Sequence, residues 1–333
     1  MNVLKKLRRK PRHFQAFTGL TPAQFDTLLA EFAPVYEAAM HQKYQKPGRL
    51  RQPGAGHPFT LAVPDRLLMG LMYLRLYVSQ SLLSYLFDLD ESNVSRELRV
   101  RLLPILHDVL PTPLQDAPLR DLTREPNAAG GATADAPLAP NPNRKKRINT
   151  LQELFTAYPE IAEVLIDATE QPIPQPEDKL KRKQAYSGKQ QDHTVKTQIV
   201  ATRKTILHCF GGLPGCISDM SVLRASGVMR QVPPNARVRI DKGYEGTDTA
   251  YPAALVAQPI KKRRKQEQSI LERAYNHTLS MKRIYVEHHF ARIKKWGAMS
   301  QIWRGKFGDH EGVFRVIAGL VNFRQTGKFD LVG

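Results

Sequence analysis

From Ser280 to Trp296 the chain reads SMKRIYVEHHFARIKKW, with no Pro or Gly and with Val286, Phe290, Ile293 and Trp296 at helical spacing. The pattern predicts a helix with one buried stripe. Beside that stripe, Arg283, Glu287 and Lys294 fall within roughly 40° of one another at 100° per residue. Helical spacing also fills the first third of the chain. Thr21-Pro22-Ala23-Gln24 offers an N-cap, a Pro at the first helical position and a Gln two residues further in, ahead of Phe25, Leu28, Leu29, Phe32, Val35, Tyr36 and Ala39. Residues 45–60, rich in Pro and Gly, read as a loop, and a second helix starts near Pro64-Asp65. Gln80 to Phe87 predicts a short helix and Asp88-Leu89-Asp90 a turn. Ser92 then caps a helix to Leu106, with Val94, Leu98, Leu102 and Ile105 inward and Asn93, Ser95, Arg96, Arg99 and Arg101 outward. Short helix, tight turn and basic polar helix describe a helix-turn-helix that reads DNA. An ordinary helical bundle has the same pattern.

After a Pro, Ala, Gly and Asn-rich stretch over 111–147, which reads as a linker ending in Arg144-Lys145-Lys146-Arg147, the periodicity shifts toward alternation. Thr150 to Tyr158 predicts a short helix. Val164-Leu165-Ile166 is an apolar strand running into Asp167, and a basic loop follows over 179–189. His193 to Thr202 and Thr205 to Gly211 form a hairpin about Arg203-Lys204, Ser218-Asp219 opens a helix, and Arg237 to Ile240 is a strand that ends at Asp241. Ala254 to Ile260 is a fifth strand. This order predicts a mixed α/β domain with a five-stranded sheet and flanking helices, the ribonuclease H-like arrangement, preceded by an all-α domain. The expected divisions are a helical DNA-binding domain over 1–110, a linker over 111–150 and a catalytic domain over 151–333.

Charge narrows the partner. The formal net charge is +19 in 333 residues, with basic residues spread along the whole length, so a polyanion is the natural partner. Residues 1–13 read as a mobile basic arm, and Lys189, His193, Lys196, Lys261, Lys262, Arg263 and Arg264 as candidate phosphate contacts, or as merely exposed basic loops. The two cysteines, Cys209 and Cys216, exclude a disulfide framework and suit a reducing cytoplasm. The basic N-terminus lacks the apolar core of a signal peptide, and no uncharged apolar run reaches membrane-spanning length, so the expectation is a soluble, cytoplasmic protein.

Asp167 and Asp241, each closing a strand, and Glu287 between two cations on the long helix are oxygen ligands of the kind Mg²⁺ takes. Two such ions activate the attacking oxygen and stabilise the leaving one in phosphodiester chemistry. The alternative for Glu287 is a solvated face carrying an intrahelical pair with Arg283. Of the competing carboxylates, Asp219 reads as an N-cap, Glu170 and Glu245 as exposed charges near the candidate aspartates and Asp192 as a solvated loop acid; Trp296 and Trp303 read as core in preference to stacking on an unpaired base.

Val164-Leu-Ile-Asp167-Ala-Thr-Glu170-Gln-Pro, Tyr186-Ser-Gly-Lys189 with His193-Thr194, Ile240-Asp241-Lys-Gly-Tyr244 and Arg283-x3-Glu287-x6-Lys294 together resemble bacterial insertion-sequence transposases of the DDE (Asp-Asp-Glu) class, family five and its relatives in family four. The likeness covers residues 145–325. It implies a Mg²⁺-dependent endonuclease and strand transferase, with Mn²⁺ as substitute, whose triad is Asp167, Asp241 and Glu287 and whose accompanying signature is Arg283 and Lys294. It further implies recognition of terminal inverted repeats, insertion into target DNA, and at least a dimer on paired ends, at work on the bacterial nucleoid. The Tyr common three residues before the Arg is Ser280 here. A catalytically silent DNA-binding regulator and a nuclease that cuts without joining are the competing classes.

Overall fold

The computed structural model describes residues 3–44, 61–115, 148–262 and 267–331. The chain divides into two compact units. Among the described residues, unit 1 takes residues 3–44, 61–111 and 295–298, and unit 2 takes residues 112–115, 148–262, 267–294 and 299–331.

Unit 1 is helical. In place of the expected mobile arm, α1 (Val3–Arg8) and α2 (Pro11–Thr18) bury Val3, Leu7 and Phe14 while their lysines and arginines face water. Pro11 opens α2, where its missing N–H costs nothing. Gly19 closes α2 in the left-handed region at φ 75°, and a Cβ there would lie 2.7 Å from the Trp296 ring, so close approach and backbone both require glycine. At the head of α3 (Pro22–Tyr44), Thr21 Oγ1 accepts from Gln24 N–H at 3.2 Å, and Gln24 Oε1 accepts from Thr21 N–H at 3.1 Å. The reciprocal cap read from the sequence is therefore present.

Next come α4 (Val63–Leu76), α5 (Gln80–Phe87) and α6 (Glu91–Arg96), the last continuing through a π-helical turn (Glu97–Leu102) into α7 (Leu103–Val109). Asp88 in the left-handed region turns the chain between α5 and α6. The N-cap of α6 is Asp90, two residues before the expected Ser92. Val94, Leu98, Leu102 and Ile105 are buried as the spacing predicts. Within this packing lies one carboxylate: Glu97 is 1 % exposed, 2.7 Å from Arg66 Nη1, and also accepts from Arg101 and the Tyr36 hydroxyl.

Unit 2 is built on a mixed sheet. β1 (Glu163–Pro172) is its centre, antiparallel to β3 (Asp192–Ala201) and parallel to β5 (Arg237–Arg239). β3 pairs antiparallel with β4 (Ile206–Pro214) and with the two-residue β2 (Tyr186–Ser187), and β6 (Leu255–Ala257) lies parallel to β5. Apart from β2, the order β4-β3-β1-β5-β6, three antiparallel strands and then two parallel ones, is consistent with a ribonuclease H-like fold.

Alternation along β1 turns Ile166 into a core with Val200, Leu207, Leu223, Val238 and Tyr244, beside α8 (Leu151–Ala157). The basic stretch expected as loop folds as α9 (Lys179–Ala185), capped by Asp178, and then β2. The remaining helices are α10 (Asp219–Ser226), α11 (Thr247–Ala250), α12 (Ile270–Ile293), the single turn α13 (Gly297–Ser300) and α14 (His310–Thr326). Apolar on nearly all sides, α14 is tied to β4 through Asn322, whose side chain donates to and accepts from the Ile206 backbone at 2.9 Å each.

Candidate active site

Asp167 stands on β1, and Asp241 lies just beyond the end of its parallel neighbour β5. Asp167 does not end its strand: β1 continues five residues beyond it, because Glu170 and Gln171 find polar partners inside the fold. Asp241 follows β5 and N-caps the 3-10 turn Lys242–Tyr244. On α12, Arg283 Nη1 bonds Asp241 Oδ1 at 2.9 Å, and its Nη2 lies 4.0 Å from Glu287 Oε1. Its guanidinium thus joins one aspartate to the glutamate, and its charge also acts on Asp167.

Asp167 is short of direct partners. Its Oδ1 accepts from the Ala168 N–H at 2.8 Å. Burial pushes its carboxyl up to about 6, opposed by that N–H and by Arg283 and helped by the charges of Asp241 and Asp219. Burial first, and then Asp167, Asp219 and Asp241, raise the Tyr244 phenol well above its usual range. Its buried hydroxyl finds no hydrogen-bond partner among the described residues. Oxygen donors carrying more negative charge than the nearby cation balances suit a hard divalent ion. Among the described residues, however, no three His, Cys, Asp or Glu side chains converge closely enough to enclose one. Glu287, with 61 % of its side chain exposed, is the outlying member.

A second polar cluster borders the first. Lys196, expected on the surface against phosphate, is 5 % exposed; its Nζ donates to Asp219 Oδ1 at 2.9 Å and to the Ile217 carbonyl at 2.7 Å, and sits 3.3 Å from Glu170 Oε1. Its place on β3, directly across from Glu170 on β1, takes it out of solvent. Glu170 is accordingly not an exposed charge; it also accepts from Thr194 Oγ1 at 2.7 Å. Nor is Asp219 the helix cap. Ser218 holds that position and accepts from the Ser221 N–H at 3.1 Å, which leaves the Asp219 carboxylate for Lys196. Neither buried partner had a local signature, since each contact joins residues more than twenty positions apart.

Beside the two clusters opens a cavity of about 230 Å³ lined by Glu170, Asp219, Lys189, Gln190, Phe290 and Lys294, together with Ala168 and Thr169. Lys189 is exposed on its rim, as is Lys294, which caps the C-terminus of α12. His193 is half-buried, edge-on to Tyr186 with ring centres 5.7 Å apart. Lys262 is exposed; Lys261 is exposed but pairs with Glu245, and Arg263 and Arg264 lie outside the described residues. On the helix-turn-helix, Asn93, Arg96 and Arg99 are exposed and Ser95 is half-buried, while Arg101 is drawn inward to Glu97. Trp296 and Trp303 are core residues, as expected. Among the described residues no helix is long and apolar enough to cross a membrane.

Comparison with known proteins places both parts. Residues 166–322 match the family described as DDE superfamily endonuclease, and residues 60–112 match the helix-turn-helix of DDE superfamily endonuclease. Over 166 residues the chain is 34 % identical to a probable transposase for insertion sequence element IS702 from Microchaete diplosiphon; the match takes in 50 % of this chain and 58 % of that relative. No solved structure matches.

Proposed function

We propose, for a chain that carries the endonuclease domain and the helix-turn-helix of the DDE superfamily and so belongs with the insertion-sequence DDE transposases, that it binds the terminal inverted repeats of a mobile element, cleaves at the element's ends and joins them to target DNA. The observation that supports the reading is the Arg283 guanidinium, which bonds Asp241 at 2.9 Å, lies 4.0 Å from Glu287 and acts through its charge on Asp167.

Asp167, Asp241 and Glu287 would hold Mg²⁺, or Mn²⁺ in its place. Bound there, the ion supplies Lewis-acid activation of the attacking oxygen, water or a 3′-hydroxyl, and stabilises the leaving oxygen. The chain's own residues do the rest. Arg283 holds Asp241 and leans toward Glu287, so the carboxylates keep their places against mutual repulsion. Lys189 and Lys294, on the cavity rim, meet phosphate oxygens of the strand being cut, with Lys261, Lys262, Arg263 and Arg264 as further backbone contacts. Asn93, Ser95, Arg96 and Arg99 on α6 and its continuation face the major groove of the terminal repeat. The joining of two ends calls for at least two copies on DNA, acting at the bacterial nucleoid.

Glu287→Gln tests the site. It removes a charged ligand and no phosphate contact, so cleavage of an end-bearing duplex in Mg²⁺ should fall at least a hundredfold while end binding stays within threefold. Cleavage at the wild-type rate would refute the assignment. A target plasmid in the same assay distinguishes a transposase, which yields joined product, from a nuclease, which does not.

A further inference from the structure

The Asp219 carboxylate is held on one side and leaned on from the other. Lys196, itself 5 % exposed on β3, fixes Oδ1 at 2.9 Å and is anchored in turn by the Ile217 carbonyl at 2.7 Å and by Glu170 at 3.3 Å. The other oxygen faces Gly243: a Cβ built there would lie 2.7 Å from Asp219 Oδ2 and 3.5 Å from its Cγ. Gly243 is the middle residue of the 3-10 turn that begins at Asp241 and is closed by the Tyr244 N–H to Asp241 carbonyl bond at 3.2 Å. One helical turn along, Met220 Sδ accepts from Thr247 Oγ1 at 3.4 Å, so the start of α10 abuts the Asp241 segment at two points. Gly243 has no Cβ, which leaves the turn free to approach the Asp219 carboxylate.

We propose that Asp219, pinned by Lys196, is a positioning residue whose carboxylate is the floor beneath the turn carrying Asp241. Lys196 and Asp219 are 23 residues apart in sequence, on β3 and α10, so the register of that helix against the sheet sets where the turn lies. Glycine at 243 follows from the same contact, because a side chain would lift the turn off its floor. The role attributed to Asp241 rests on the transposition reading, but the placement of the turn does not.

Three variants, Asp219→Ala, Asp219→Asn and Gly243→Ala, separate the cases in the full-length protein. Amide hydrogen exchange reads the turn directly. Asp219→Ala should raise exchange at the Tyr244 N–H about tenfold, with the amides of β1 and β3 unchanged. Asp219→Asn, of the same shape and still able to accept from Lys196, should leave Tyr244 exchange within twofold. Strand cleavage in Mg²⁺ should follow the same order: kcat down at least tenfold for Asp219→Ala, within threefold for Asp219→Asn, and KM for end DNA within twofold in both. In a Gly243→Ala background, adding Asp219→Ala makes room for the new methyl and should recover part of the lost cleavage.

Unchanged Tyr244 exchange in Asp219→Ala would overturn the proposal. So would an Asp219→Asn loss of kcat as deep as that of Asp219→Ala, since the charge and not the shape would then be in use. If exchange shifts as expected and the wild-type protein cuts no DNA, positioning stands and the transposition reading falls.

Discussion

Glu97→Ala should damage the helix-turn-helix unit as much as truncating a core side chain, and its size follows from burial. Only 2 % of the Glu97 side chain is exposed, against 7 % for Arg66 and 16 % for Arg101. Removing the carboxylate leaves two guanidinium groups inside the unit with their main countercharge gone, for which breaking a buried pair typically costs about 3–5 kcal/mol. The Tyr36 hydroxyl loses its acceptor as well, worth roughly a further 1 kcal/mol. Against this, Arg66 keeps its Nε bond to the Leu61 carbonyl at 2.9 Å, which pulls the total toward the low end. The expectation is about 3–4 kcal/mol.

The same unit supplies its own control. Arg8 and Asp26 also pair closely, with side chains 37 % and 52 % exposed, and an exposed pair contributes about 0.2–1 kcal/mol. Asp26→Ala should therefore cost less than a third of what Glu97→Ala costs. Urea unfolding of the full chain, followed by Trp296 fluorescence in a Trp303→Phe background, reads this unit because Trp296 is buried in it. Equal losses in the two variants, or a Glu97→Ala loss under about 1 kcal/mol, would refute the argument that burial decides the worth of these pairs.

Three further outcomes are expected. Burial pushes the Glu311 carboxyl from 4.5 up to about 7, against the opposing Gly211 N–H and Arg315, so the folded state keeps a proton that the unfolded state releases. Stability is then full below pH 4.5 and falls as pH rises through 7, by up to roughly 3 kcal/mol from this group; Glu311→Gln should flatten that slope in urea midpoints taken from pH 4 to 8. Gly211→Ala would place a Cβ 2.5 Å from the Thr197 hydroxyl, and the overpacking should cost about 1–3 kcal/mol, with Thr197→Ala in the same chain recovering part of it in thermal melts. End binding should weaken steeply with salt, and a flat response between 50 and 200 mM by titration in a fluorescence anisotropy assay would exclude the basic surface as the source of affinity.

Local signals were legible wherever the cause was local. The Thr21–Gln24 cap, the short helix Gln80–Phe87 and the hairpin turn at Arg203-Lys204 depend on neighbours a few residues apart, and each lies where the sequence puts it. The misreadings share a different cause. Polar residues on β1 looked like the end of a strand because their partners come from distant segments: Thr194 and Lys196 for Glu170, and His310 and Gln301 for Gln171. Lys196 looked like a surface cation for the same reason. At the N-terminus, Lys and Arg outnumber the apolar positions and hid an amphipathic pattern that buries Val3, Leu7 and Phe14. The helix over 310–326 was not anticipated, although its near-continuous apolar run marks a helix enclosed by other elements.

The electrostatics of unit 2 explain why a chain of net charge +19 keeps so many acids in one place. Asp167, Asp241, Asp219, Glu170 and Glu287 lie near one another, and two cations divide the neutralising work: Arg283 serves Asp241 with Glu287 in reach, and Lys196 serves Glu170 and Asp219. Burial raises the Asp167 carboxyl to about 6, and the N–H from its own neighbour and a remote share of the Arg283 charge offset that rise only in part. On the proposed reading a DNA phosphate brought here adds like charge beside it, and Lys189 and Lys294 line the same cavity. Were all five carboxylates paired by fixed side-chain cations, the group would be a buried ion network and nothing more. On the proposed reading the chemistry draws on Asp167, which the fold leaves without a fixed side-chain cation among the described residues, and the surrounding pairs keep that imbalance local.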